Sequence, residues 1–150
     1  MRSFIKIVCL IMLVLCLDAR LAQADNSIGT IKKLNGAATF VREKTELNVK
    51  LGDPVFMKDV LKTDKSGSLG ITFKDNTMIS IGPNTAYAID EYVFKPGEQK
   101  LAFVSKISKG TLNFVSGNLT KMAPDAVKVK TPEATIGFRG THCLIKIDDN

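Results

Sequence analysis

The chain has 150 residues, 45% of them hydrophobic and 24% charged, with a formal net charge of +6, no Trp, two Tyr, three Cys and one His. Such a length suits one domain that buries roughly two-thirds of its unfolded surface. One His and so few Cys leave no metal cluster and no convincing nucleophile–base pair, so neither an enzyme nor a cofactor is expected. The mild charge and scarce aromatics argue against nucleic acid as a partner.

Residues 1–24 read as a secretory signal peptide. Arg2 and Lys6 precede an unbroken apolar run from Ile7 to Leu17, and Ala22 and Ala24 supply the small residues of an A-x-A site. Cleavage is expected after Ala24, giving a periplasmic or secreted β-domain over 25–150 with no membrane span, since spanning needs ~20 apolar residues. Leu15, bulky and next to Cys16, argues against a lipid anchor. Cys9 and Cys16 leave with the signal. Cys143 then stands alone, without an internal disulfide, and is expected as a small hydrophobe in the core. A disulfide to another molecule is the alternative.

From Thr30 onward, short apolar alternations are broken by turn residues every 8–12 positions or so, which predicts an all-β domain of roughly a dozen short strands. A twisted solenoid-like or sandwich-like stack follows from the tight turns. "TIKKLNG" ends in Asn35-Gly36, a hairpin signal. "AATFVRE" and "ELNVKL" come next, parted by Lys44-Thr45, and Gly52, Asp53 and Pro54 form a tight turn. "DVLKT" is a short strand. In "SLGITFKDNTMISI", Leu69, Ile71 and Phe73 share a face, and Asp75-Asn76 fits a two-residue type I′ turn. "TAYAIDEYVF" is a long strand. "LAFVSKI" and "TLNFVSG" read as two strands separated by a turn at "SKG". "NLTKMAPDAV" has room for one helical turn before Pro124.

The acidic residues give little chemistry. Asp53, Asp59 and Asp64 read as turn residues whose spacing matches no calcium loop. Asp90-Glu91 and Asp148-Asp149 are strand neighbours that point to opposite faces, so neither makes an acid–base couple.

The last stretch, "TPEATIGFRGTHCLIKI", changes phase. Ile136 and Phe138 lie on one alternation and Cys143, Ile145 and Ile147 on the other. A bulge or kink at Gly140 is the expected cause, and Gly137 is expected to let another strand approach closely. Arg139, beside this kink, is expected to hold the strand through a partly buried ion pair with Asp53, Asp59 or Glu133, or through backbone carbonyls. Its functional alternative is to bind a partner's carboxylate, an anionic glycan or a lipid head group. Lys128 and Lys130, with Lys121, read as a solvated basic face or as a contact for an acidic polymer. Exposed strand edges are a further partner surface.

Several motifs recur in one order: Gly52-Asp53 followed by Asp59 and Thr63, then "IGPNT" from Ile81 to Thr85, then T-P-x-A-x-x-G-x-R-G-T from Thr131 to Thr141. This set resembles the FecR domain, the periplasmic domain named after the ferric citrate regulator, over nearly the whole mature chain. The resemblance implies an all-β, twisted, solenoid-like fold with Gly52, Asp53, Asp59, Thr63, Gly137, Arg139, Gly140 and Thr141 as its structural motif. In signalling members it also implies a contact received from a TonB-dependent outer-membrane receptor and passed to a sigma-factor regulator. Those members carry a cytoplasmic segment and a membrane span before the domain and a receptor-binding module after it. Here a signal peptide precedes it and the sequence ends at Asn150, so direct transmembrane signalling is not expected. The expectation is a non-enzymatic module that binds an envelope protein, with envelope polysaccharide or another anionic polymer as the alternative.

Overall fold

The structure is a computed structural model that describes residues 26–140 and 142–148. The expected signal peptide and Thr141 lie outside the described residues.

Strands β1 (Gly29–Asn35), β2 (Ala38–Arg42), β3 (Thr45–Asn48), β4 (Pro54–Val55), β5 (Val60–Thr63), β6 (Ser68–Phe73), β7 (Met78–Ile81) and β8 (Ala86–Lys95) lead to the long β9 (Lys100–Val115). A short helix α1 (Asn118–Met122) and a 3-10 turn at Pro124–Ala126 precede β10 (Val127–Lys130), β11 (Thr135–Gly137) and β12 (His142–Ile147). All 12 strands join one curled, mostly antiparallel sheet, in the order β3-β2-β5-β8-β9-β7-β6-β1-β4. β10 and β12 also pair with β9, and β11 pairs with β10. The all-β reading holds, and the single helical turn before Pro124 is present.

β9 is the spine. Its first part, Lys100–Lys109, pairs with β8, and Phe103–Lys106 within it pairs in parallel with β10. Its second part, Leu112–Val115, pairs with β7, and Gly110–Val115 pairs with β12. The expected turn at "SKG" is therefore replaced by a change of neighbours within one strand. Gly110 makes this possible: its φ is +91°, and a Cβ there would fall 2.2 Å from Thr85 Oγ1. That same hydroxyl accepts a hydrogen bond from Thr111 N at 3.0 Å. Locally, a glycine kink and a turn carry the same signal in sequence.

Alternation fills the core from both halves. Leu69, Ile71 and Phe73 of β6, Ile79 and Ile81 of β7, and Phe103, Ile107, Leu112 and Phe114 of β9 are all buried. Aromatic rings run through it: Phe73 to Phe103 at 4.9 Å, Phe103 to Phe114 at 5.9 Å, and Phe114 stacked on Phe138 at 4.8 Å. Each such pair adds ~0.5–1.5 kcal/mol beyond the area it buries.

Three turns differ from expectation. Asn35-Gly36 does turn, with Gly36 at φ +64°, but it closes no hairpin, because β1 pairs with β6 and β4 while β2 pairs with β3 and β5. A Cβ on Gly36 would lie 2.8 Å from Ser66 O, so the glycine serves a close approach to the β5–β6 connection. The two-residue hairpin is instead Glu43-Lys44, both at positive φ (48° and 68°), closed by the pair Arg42–Thr45, one residue earlier than the sequence suggests. The β6–β7 connection is longer than two residues, since Thr72 pairs with Met78, and only Asn76 has positive φ (65°).

Candidate functional site: a basic strand edge

The first motif cluster is built into the body of the fold. Gly52, at φ +89°, donates its N–H to Ile31 O at 2.9 Å, and Asp53 Oδ2 accepts from Lys50 N at 2.7 Å. Asp59 is fully buried. Its carboxylate accepts from Phe56 N (2.9 Å) and, bidentately, from Arg42 Nε (2.8 Å) and Nη2 (2.7 Å). The Arg42 guanidinium also lies over the Phe56 ring, 4.4 Å from its centroid. The hydrogen bond to Asp59 is the main reason its pKa is raised, with burial opposing. Thr63 Oγ1 donates to Gly82 O at 2.6 Å and accepts from Thr85 N at 2.9 Å, tying β5 to the "IGPNT" loop. The arginine that clasps an aspartate is thus Arg42, which the sequence reading missed. The available signal was slight: Asp59 directly precedes the apolar Val60-Leu61 of β5, and a carboxylate that goes inside needs a cation or several donors.

Asp75 was missed as well. It is fully buried at the β6–β7 tip, not exposed in a turn. Its carboxyl group accepts from Thr77 Oγ1 (2.6 Å), Tyr92 OH (2.9 Å), Leu119 N (3.1 Å) and Thr77 N (3.3 Å). Its backbone carbonyl accepts from Asn118 N at 2.7 Å, so the start of α1 is bolted onto the hairpin. Gly117 allows that contact, since a Cβ would fall 2.2 Å from Thr77 N. Burial first, and then the Asp75 charge, push the Tyr92 phenol far above its ordinary pKa.

The C-terminal motif behaves differently. Thr131 and Ala134 close a turn: Thr131 N donates to Ala134 O (2.8 Å) and Ala134 N to Thr131 Oγ1 (3.0 Å). β11 returns along β10 with Gly137 opposite Lys128 and Thr135 opposite Lys130. Phe138 then drops into the core, and the chain crosses to pair as β12 with the far half of β9. The phase change accompanies this change of partner, with a bend at Gly140 between the two strands, which is the kink of the two forms expected. Gly137 and Gly140 stand in open space, where a Cβ would meet nothing within 4 Å, so no strand approaches Gly137 closely. Gly140 contributes its carbonyl, which accepts from Ser116 Oγ at 2.6 Å.

Arg139 is also corrected. Its side chain is 82% exposed and reaches Asp125 Oδ1 at 3.4 Å, with Asp125 itself 85% exposed. Asp53 is bonded to Lys50 and Asp59 to Arg42, and neither pairs with Arg139. An exposed pair of this kind contributes little stability.

On β10 the apolar Val127 and Val129 face the core while Lys128 and Lys130 face outward. Lys130 Nζ lies 3.3 Å from Asp90 Oδ2 and borders a groove of about 670 Å³ shared with Lys106 and Glu133. Lys128 and Arg139 come together along a neighbouring groove of about 470 Å³ with Asp125, Thr135 and Gly137. Cys143 is a half-buried free thiol whose pKa burial raises, and Ile145 behind it is buried. His142 is exposed and bonded to Asn113. Among the described residues no group of three or more His, Cys, Asp or Glu could hold a metal, and no helix is long and apolar enough to cross a membrane.

A solved structure described as a cell surface anchoring domain is 40% identical over 41% of this chain and 82% of its own, with a TM-score of 0.40. No curated protein matches the chain. The family model described as FecR protein matches residues 59–150, from Asp59 through the basic hairpin to the end of the sequence. That is more than half of the chain, and the chain belongs to the FecR family.

Proposed function

We propose that this chain is a non-catalytic binding module of the cell envelope that engages a protein partner. The observation that carries this reading is the outward groove at the β10–β11 hairpin, where Lys128 and Arg139 stand beside an open strand edge inside the family-matched span. The buried carboxylates support it from the other side. Asp59 and Asp75 are buried and occupied by internal donors. Export after cleavage at Ala24 gives the domain its place, in the periplasm or beyond, and family membership supports an envelope setting.

Affinity capture from envelope extract with the tagged exported chain tests the proposal. Bound protein that survives glycan digestion supports it. Capture abolished by glycan digestion transfers the site to an anionic polymer, for which Lys106, Lys128 and Lys130 would be the contact row.

A further inference from the structure

The alternation of an antiparallel ladder decides which backbone groups of β11 are free. Thr131 and Ala134 already exchange a bond across the turn, so the next bonded pair is Val129–Ile136, and Thr135 and Gly137 fall at non-bonded positions. Their N–H and C=O groups therefore point away from β10. β11 has no other strand neighbour among the described residues. Natural edges are commonly blocked by proline, bulges or side chains. Here the register runs without a shift, Thr135–Gly137 contains no proline, and Gly137 has no side chain.

Charge says what would fit there. Lys128 sits opposite Gly137 on the outward face, and Arg139 follows two residues later on the same phase. Both line the 470 Å³ groove that runs beside the edge, against a single carboxylate, Asp125. No described ion pair uses Lys128. Arg139 holds Asp125 only through one long, exposed contact. We infer that the β11 edge is a docking strand for an extended, carboxylate-bearing peptide segment of a partner protein, which pairs with Thr135 and Gly137 and sets acidic side chains on Lys128 and Arg139. Backbone bonds supply the affinity and the two cations the choice of sequence. Asp125 is then an internal competitor that the incoming carboxylate displaces. This inference rests on the protein-binding function proposed above.

The test uses the full chain and a fluorescein-labelled octapeptide of alternating Glu and Val, with the Lys/Val peptide as control. The acidic peptide is expected to bind and to slow hydrogen exchange at the Thr135 and Gly137 amides. The double reversal Lys128→Glu, Arg139→Glu is expected to weaken binding about tenfold, because two exposed attractions become repulsions. Asp125→Asn is expected to strengthen it. Absence of binding, binding without protection of the two amides, or binding indifferent to the double reversal overturns the inference. The wider reading fails separately: if the double reversal still captures the same glycan-independent envelope protein as the wild type, the edge is wrong and protein binding stands. A wild-type chain that captures no protein removes the reading itself.

Discussion

Two arginines among the described residues meet aspartates, and they do opposite things with them. Arg42, two-thirds covered, forks onto an Asp59 that has no exposure at all and that also accepts a backbone amide. Arg139 and Asp125 stand almost fully in solvent, one contact apart. Burial of the carboxylate makes the difference. A desolvated acid left without its cation is costly, so Arg42 is bound to its place, whereas water serves Asp125 nearly as well as Arg139 does. The buried carboxylate of the body is committed to an internal cation, while Arg139 at the C-terminal hairpin stays in solvent.

Four experiments sharpen or break that contrast. The largest effect is expected at Asp75, where alanine leaves Tyr92 OH, Thr77 Oγ1 and Leu119 N without their acceptor in a buried site. Chemical denaturation is expected to find a loss of about 4 kcal/mol. A loss below that of Arg42→Ala would mean that α1 peels away from the hairpin at little cost. Arg42→Ala is expected to cost about 2 kcal/mol, the buried-pair figure discounted because the guanidinium is part-exposed. A melting temperature equal to wild type would show that Asp59 does not need its cation.

The third effect is on pH. Burial raises the pKa of both Tyr87 and Tyr92 above the ordinary value of 10.0. The folded state therefore holds these protons after the unfolded chain has released them. Stability from this source is complete below the unfolded value and is expected to fall as pH climbs past it. Denaturant midpoints measured either side of pH 10 check the sign, and a rise in stability there contradicts it. The smallest effect is at Arg139. Alanine is expected to change stability by less than about 0.5 kcal/mol, and a larger loss in a thermal melt would return Arg139 to the structural role the sequence suggested.

That reversal shows what the amino acids disclosed. The strand segments were legible because period-two alternation reports which residues share a face, and Leu69, Ile71 and Phe73 do point inward together. The outward Lys128 and Lys130 were legible for the same reason. Pairing was not, since alternation says nothing about the neighbour across the ladder: Asn35-Gly36 turns the chain whether or not the strands on either side meet. Gly110 reads as a turn because positive φ serves a kink and a reversal alike. Asp59 and Asp75 look like any loop aspartate, because Arg42 and Leu119, which join their local donors, lie 17 and 44 residues away in the chain. The candidate groove was half visible, with Lys128 and Arg139 named but their meeting at one edge decided by the register of β10 on β11.

The spine strand carries one more consequence. β9 is neighbour to β8 and β10 on one side of Gly110 and to β7 and β12 on the other, so a break in β9 removes ladder partners from both halves of the sheet. Whatever docks at the hairpin is thus joined, through β10, to the one strand that both halves of the sheet share.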